Sequence, residues 1–177
     1  MDQKSEAEIV ARVLKGERQA YAMLVEAYKS PIYNLAYRMT GSSDDADDLT
    51  QETFIRAYKY LWRYDSQRKF FTWLYTISFN VIKNHIKKNK TNSKKIAEID
   101  TLSWQQDDHS PETRLIEDQE ISSCLLRVPY KLRSLLIMKY HQELSFEEIA
   151  EITGKTVSTV KMSIYRGLEK LKEKMKK

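Results

Sequence analysis

A lone cysteine, Cys124, rules out an internal disulfide, and the three histidines, His85, His109 and His141, lie too far apart in the chain to give a local metal-ligand spacing. Four glycines and three prolines in 177 residues leave few obligatory turns, which argues against a loop-rich or all-β chain. No apolar run approaches the roughly 18 to 20 residues that cross a bilayer. The first ten residues, MDQKSEAEIV, lack the basic-then-apolar layout of a secretory leader. A cytoplasmic protein with no membrane insertion of its own is the expectation. Acid is missing locally as well, since Phe70 to Lys90 contains no Asp or Glu.

What is present is charge laid out in blocks. The formal net charge is +5. Residues 83–97 carry Lys83, Lys87, Lys88, Lys90, Lys94 and Lys95 with no acid among them. Residues 98–120 reverse the sign, with eight acids against Arg114, and the last 23 residues swing back to eight cations against Glu169 and Glu173. Two basic surfaces flanking an acidic stretch suggest two places for a polyanion, although any one block could be an ordinary solvated face.

Apolar residues recur at three and four rather than two, so the chain reads as all-α. Helices are expected over 4–15, 18–29, 31–40, 44–63, 70–89, 112–127, 130–141, 145–152 and 156–175, with Pro31 breaking the second from the third and Ser43 capping the fourth. Between residues 91 and 111 the periodicity fails and polar residues dominate. The reading is two small helical domains, residues 1–90 and 112–177, joined by an extended linker at 91–111.

The segment LSFEEIAEITGKTVSTVKMSIYRGLEKLKEKM, residues 144–175, has the layout of a helix-turn-helix. Ser145 and Glu148 form a capping box, Gly154 supplies the turn, and the second helix is anchored by Val157, Val160, Ile164, Leu168 and Leu171. Its other residues, Ser158, Thr159, Lys161, Met162, Tyr165 and Arg166, mix hydroxyls, cations and an aromatic in a way that suits a major groove. A plain αα-hairpin with a solvated face is the alternative.

FFTWLYTISFNVIKNHIKKNK, residues 70–90, wound at 100° per residue, puts Phe70, Leu74, Ile77 and Val81 on one face. The opposite face carries Thr72, Thr76, Asn80, Lys83 and Lys87, bordered by Trp73, Asn84 and Phe79. An amide, ammonium groups and aromatic faces on one strip are what unpaired bases need. Trp73 and Tyr75 could equally be core.

A third feature is DADDLTQETFIRAYKYL, which places five acids between Asp44 and Glu52. Asp44, Asp48, Gln51 and Glu52 share a helical side by their three- and four-residue spacing. Such acids are more often helix-terminus electrostatics than metal ligands. A protein partner with a basic surface is the better functional reading. No metal site, cofactor or catalytic residue is expected.

These pieces in this order resemble the extracytoplasmic-function (ECF) sigma factors of the bacterial sigma-70 family. The resemblance rests on DDLTQETFIRAY (47–58), FFTWLYTISFNVIKNHI (70–86) and LSFEEIAEITGKTVSTVKMSIYRGLEKL (144–171). It implies a non-enzymatic initiation factor whose partners are core RNA polymerase, through the β′ clamp helices and the β flap, promoter DNA, and an anti-sigma factor. Asp48, Gln51 and Glu52 match the polymerase-docking positions. Arg68, Lys69, Trp73, Asn80, Lys83, Asn84 and Lys87 fall where the family reads and melts the minus-ten element, with Asn80 at the base-reading asparagine. Ser158, Thr159, Lys161, Met162, Tyr165 and Arg166 fall where it reads the minus-thirty-five element. Gly167 stands where the family more often has Ala. Two rivals are weaker. A metal-dependent recombinase lacks a second ligand set and a nucleophile, and a plain helix-turn-helix repressor leaves residues 44–90 unexplained.

Overall fold

The computed structural model describes residues 1–96, 125–126 and 128–175, with side chains left aside at 90–96, 170–171 and 173–175. Every regular element among the described residues is helical. Helix α1, Gln3–Leu14, starts at Asp2, whose carboxylate accepts from the Ser5 N–H at 2.9 Å. A 3₁₀ turn at Arg18–Ala20 leads into α2, Tyr21–Thr40.

Helix α2 runs unbroken through Pro31, contrary to the break expected there. An interior proline costs about 3 kcal/mol. Leu24, Ile32, Leu35 and Ala36, on both sides of it, are fully buried, and burial of each large one contributes about 1.5–3 kcal/mol. Packing therefore outweighs the lost hydrogen bond. Gly41, at φ 78°, ends the helix in the left-handed region.

Helix α3, Ser43–Lys59, is capped by Ser42 and not by Ser43: the Ser42 hydroxyl accepts from the Asp45 N–H at 3.2 Å. Asp44 and Asp45 sit in its first turn, where the helix dipole favours them. It stops short of the expected end, and a 3₁₀ turn, Leu61–Arg63, follows. Helix α4, Phe70–Ile96, outlasts its expected end at residue 89 because neither Gly nor Pro interrupts it. It thus continues six residues into the stretch read as linker.

In the C-terminal half, α5 spans Tyr130–Leu136 and widens into a π-type turn, Ile137–His141. Helix α6 covers Phe146–Thr153 and α7 Val157–Met175. Of the helix expected at 112–127, residues 125 and 126 are helical and the rest lies outside the described residues.

Helices α1 to α4 pack into one bundle around Leu24, Ile32, Leu35, Phe70, Leu74 and Tyr75. Helices α5 to α7 close around Leu135, Met138, Ile149, Val160 and Ile164, all at most 2% exposed. The two groups share one contiguous core, with α6 lying on α4 and α5 touching α2. Gly167 of α7 is there for packing: a Cβ at that position would come within 2.3 Å of Leu132 Cδ1 on α5.

Candidate nucleic-acid and protein interfaces

The loop ahead of α4 is held from the far end of the chain. Glu6 heads the apolar stripe of α1, at three, four and seven residues before Ile9, Val10 and Val13, and is buried with them. One of its carboxylate oxygens accepts from the Tyr28 hydroxyl, and the other accepts from the Phe70 N–H at 3.2 Å. Glu6 thereby satisfies an orphan donor at the first residue of α4, a capping role filled from another helix. Gln3 Nε2 donates to the Ser66 carbonyl at 3.0 Å, and the Tyr64 hydroxyl to the Arg68 carbonyl at 2.7 Å. Burial, with the nearby Glu6 carboxylate, pushes the Tyr64 phenol up to about 12, so it stays a donor at any ordinary pH.

This scaffold sets Arg68 and Lys69, both exposed, at the N-terminal end of α4. Arg68 Nη1 meets Glu151 Oε1 at 2.7 Å and Lys69 Nζ meets Glu148 Oε1 at 2.8 Å, both acids belonging to α6. The capping box is formed as expected: Glu148 N–H donates to Ser145 Oγ at 3.1 Å, and Ser145 N–H to Glu148 Oε2 at 2.9 Å. One carboxylate therefore both caps α6 and binds Lys69. Burial raises the Glu148 carboxyl, but hydrogen bonds from Lys69 and from the Ser145 backbone outweigh it and hold the group below its ordinary range.

Along α4 the expected strip is present in part. Asn80 and Lys83 are half-buried, and Asn84 and Lys87 are exposed. Both ends of the Asn80 amide are engaged: Nδ2 donates to the Thr76 carbonyl at 2.9 Å, and Oδ1 accepts from Lys83 Nζ at 2.8 Å. That ammonium also lies 5.4 Å from the Phe79 ring centre. Trp73 packs against Tyr64 and Phe70 at centroid distances of 5.6 and 5.4 Å, which leaves it half-exposed at the border. Tyr75 is wholly core. Thr72, read as part of the polar strip, is 4% exposed. Ile77, read as core, is only half-buried. Helix α4 is flanked by α1, α2 and α3 and also by α6, so it is a shared wall rather than a one-sided surface helix.

On α3, Asp48 and Gln51 are exposed, and Glu52 is half-buried and bound to Arg56 one turn on. Gln51 and Asp47 edge a groove of about 540 Å³ between α2 and α3, floored by Tyr21, Val25, Phe54, Ile55 and Tyr58. Ile55, at 62% exposure, is the large apolar group most presented to solvent there. The acids are thus the rim of an apolar depression, which helical spacing on α3 alone could not reveal because α2 supplies half of it. Among the described residues no cluster of His, Cys, Asp or Glu could hold a metal ion.

Helix α7 is capped by Thr156, whose hydroxyl accepts from the Thr159 N–H at 3.2 Å. Val160 and Ile164 are fully buried and anchor it. Ser158, Thr159, Lys161, Met162, Tyr165 and Arg166 are exposed together. Lys161 sits at the edge of that face, its ammonium 5.2 Å from the Phe146 ring centre, and Tyr165 tilts toward the same ring at 6.4 Å. Phe146 thus braces two members of the surface.

A residue that sequence reasoning passed over joins the two halves. Arg133 of α5 donates from Nη1 to the Met39 carbonyl near the C-terminus of α2 at 2.6 Å. From Nη2 it donates to the Leu126 and Val128 carbonyls at 2.5 and 3.1 Å. Burial pulls its guanidinium down to about 10. Leu126 also packs against Gly41, where a Cβ would come within 2.8 Å of its Cδ1.

Comparison with known proteins agrees with this anatomy. A family model for Sigma-70 region 2 matches residues 24–91, and one for Sigma-70 region 4 matches residues 118–171. The chain is 37% identical to the ECF RNA polymerase sigma factor SigW of Bacillus subtilis, across 94% of this chain and 95% of that protein. It is 30% identical to the ECF RNA polymerase sigma-E factor of Haemophilus influenzae, across 98% of this chain and 97% of that one. Among solved structures, CnrH in complex with the cytosolic domain of CnrY superposes with a TM-score of 0.71 at 21% identity, covering 95% of each chain. The sigma factor RpoE from Bartonella quintana, in complex with the anti-sigma factor NepR, gives 0.70 at 20%, covering 88% of this chain and 96% of that one. With both regions matched, and a relative this similar along nearly its whole length, the chain belongs to the sigma-70 family as an ECF RNA polymerase sigma factor.

Proposed function

We propose that residues 1–90 dock on core RNA polymerase and open the minus-ten element, that residues 112–177 read the minus-thirty-five element, and that residues 91–111 connect the two. The observation that supports this division is that each polar surface is mounted on a helix buried on its other side. Asp48 and Gln51 ride on α3 over Leu49 and Thr53, Lys83 and Asn84 on α4 over Val81 and Ile82, and Arg166 on α7 over Val160 and Ile164. Each surface can bind without disturbing the core that holds it.

In this reading Asp48, Gln51 and Glu52, with the apolar groove beside them, receive the basic clamp helices of the polymerase. Arg68 and Lys69 guide the single strand. Asn80 exchanges its Thr76 and Lys83 partners for a base edge, and Trp73 offers a partly exposed ring for stacking. On α7, Arg166 and Lys161 reach base edges or phosphates while Met162 and Tyr165 make apolar contact, best suited to thymine methyls. The polymerase supplies the chemistry, and each captured base offsets an unstacking cost of a few kcal/mol. A protein that restrains the factor is the expected further partner, as RpoE of Bartonella quintana is held with the anti-sigma factor NepR.

The test is reconstitution of the full chain with bacterial core polymerase and a promoter library, reading transcripts. The chain should direct initiation at a defined pair of elements, and Asp48→Arg with Gln51→Ala should abolish co-purification with core while leaving helical content unchanged. Undiminished co-purification would remove the docking assignment.

A further inference from the structure

The cations assigned to the incoming single strand are already neutralised inside the chain. Arg68 and Lys69 lie 83 and 79 residues away in sequence from the acids that bind them, Glu151 and Glu148. Both acids project from α6, the first helix of the helix-turn-helix, and α6 lies on α4. Resting on the minus-ten reading of that loop, we propose that this is an autoinhibitory latch: α6 presents two carboxylates where promoter phosphates would go, and the docked arrangement must open before DNA is engaged.

Three observations point the same way. First, the acids are matched to the cations one to one, at 2.7 and 2.8 Å, which is the charge-assisted geometry a phosphate oxygen would otherwise take. Second, the docking has an independent hinge-side pin. Arg133 ties α5 and the chain just before it to the Met39 carbonyl of α2, with three carbonyls around one guanidinium, so the contact is built at two separated places. Third, the arrangement is too short for the task. Elements named for positions minus ten and minus thirty-five are about 25 base pairs apart, roughly 85 Å of B-form DNA at about 34 Å per turn, whereas α4 and α6 touch. A chain in this state cannot place α4 and α7 on both elements together.

The strength of the latch fits a switch. Exposed ion pairs of this kind each contribute at most a factor of roughly five, so the pair holds the resting chain closed without defeating a large polymerase interface. Binding to core, which separates the two halves, would release the loop cations at the moment DNA arrives.

The experiment uses the full chain and a fluorescein-labelled single-stranded oligonucleotide carrying the minus-ten sequence obtained from the promoter library. Glu148→Gln with Glu151→Gln removes both charges, and Gln at position 148 keeps the capping box. The control is Glu143→Gln with Glu147→Gln, exposed acids of the same segment, which makes the same change in net charge. The latch variant should bind about 5- to 25-fold more tightly than the control, as two such pairs allow, and its small-angle scattering radius should increase. Affinity equal to the control overturns the latch, whether or not the variant expands. In that case Arg68→Ala with Lys69→Ala decides the rest. If it weakens binding, the minus-ten reading stands without autoinhibition; if it has no effect, the assignment of the loop to DNA falls as well.

Discussion

Glu6 offers the sharpest test of how this chain builds its DNA-facing loop. Its carboxylate accepts from the Tyr28 hydroxyl and the Phe70 N–H, and the side chain is 4% exposed. In Glu6→Leu both donors lose their acceptor in a dry site. Each orphaned buried donor costs about 1–3 kcal/mol. Part of this is offset because leucine avoids the desolvation that the carboxylate carries, leaving a net loss of about 2–4 kcal/mol. For a chain of this size each kcal/mol shifts the melting temperature by about 2–4 °C, so a fall of about 5–15 °C is expected. Glu6→Gln keeps one carbonyl acceptor and should lose roughly half as much. Because Phe70 begins α4, its amide should also exchange faster with solvent in Glu6→Leu, ahead of amides in the middle of the helix. Thermal melts followed by circular dichroism, with hydrogen exchange read by NMR, provide the assay. If Glu6→Leu melts within 2 °C of the parent and Phe70 keeps its protection, Glu6 does not hold the start of α4.

The remaining predictions concern α4 and α7. Asn80→Ala gives up two half-exposed hydrogen bonds, about 1 kcal/mol, and regains most of that in helix propensity, so stability should hold while promoter opening fails; normal permanganate reactivity of thymines near the start site would return Asn80 to a local structural role. Gly167→Ala should be neutral or cost up to about 2 kcal/mol, because the propensity gain of about 1 kcal/mol is outweighed by the Leu132 clash. In a Leu132→Ala background the same change should become stabilising, and a denaturant double-mutant cycle lacking that sign reversal would reject the packing account. Arg166→Ala should cost about 1–3 kcal/mol on the preferred upstream element and flatten preference at one or two base pairs; selection against a randomised element that returns the parent's preference and margin would reject the recognition-helix assignment.

Much of this architecture is written in local pattern. The three- and four-residue spacing of apolar groups specifies helices wherever neither Gly nor Pro intervenes, and the capping box at Ser145 with the glycine at 154 fixes the turn of the helix-turn-helix. Local patterns are read by neighbours within one or two turns, so these features needed no tertiary partner. The exposed set on α7 was legible for the same reason, since Val160 and Ile164 declare the buried side and leave the other face outward.

Where packing outweighs local preference, the sequence misleads. Pro31 reads as a breaker, yet α2 continues because Leu24, Ile32 and Leu35 are buried on either side of it. Thr72 reads as surface and is buried, on a helix flanked from both halves of the chain. Three decisions belong to the tertiary structure alone. Glu6 caps a helix 64 residues away, Arg133 reaches a carbonyl 94 residues away, and Glu148 and Glu151 find Lys69 and Arg68. Charge block and helical spacing identify which groups are available, but pairing depends on distance in space, and only the folded chain brings those acids within 3 Å of the cations assigned to DNA.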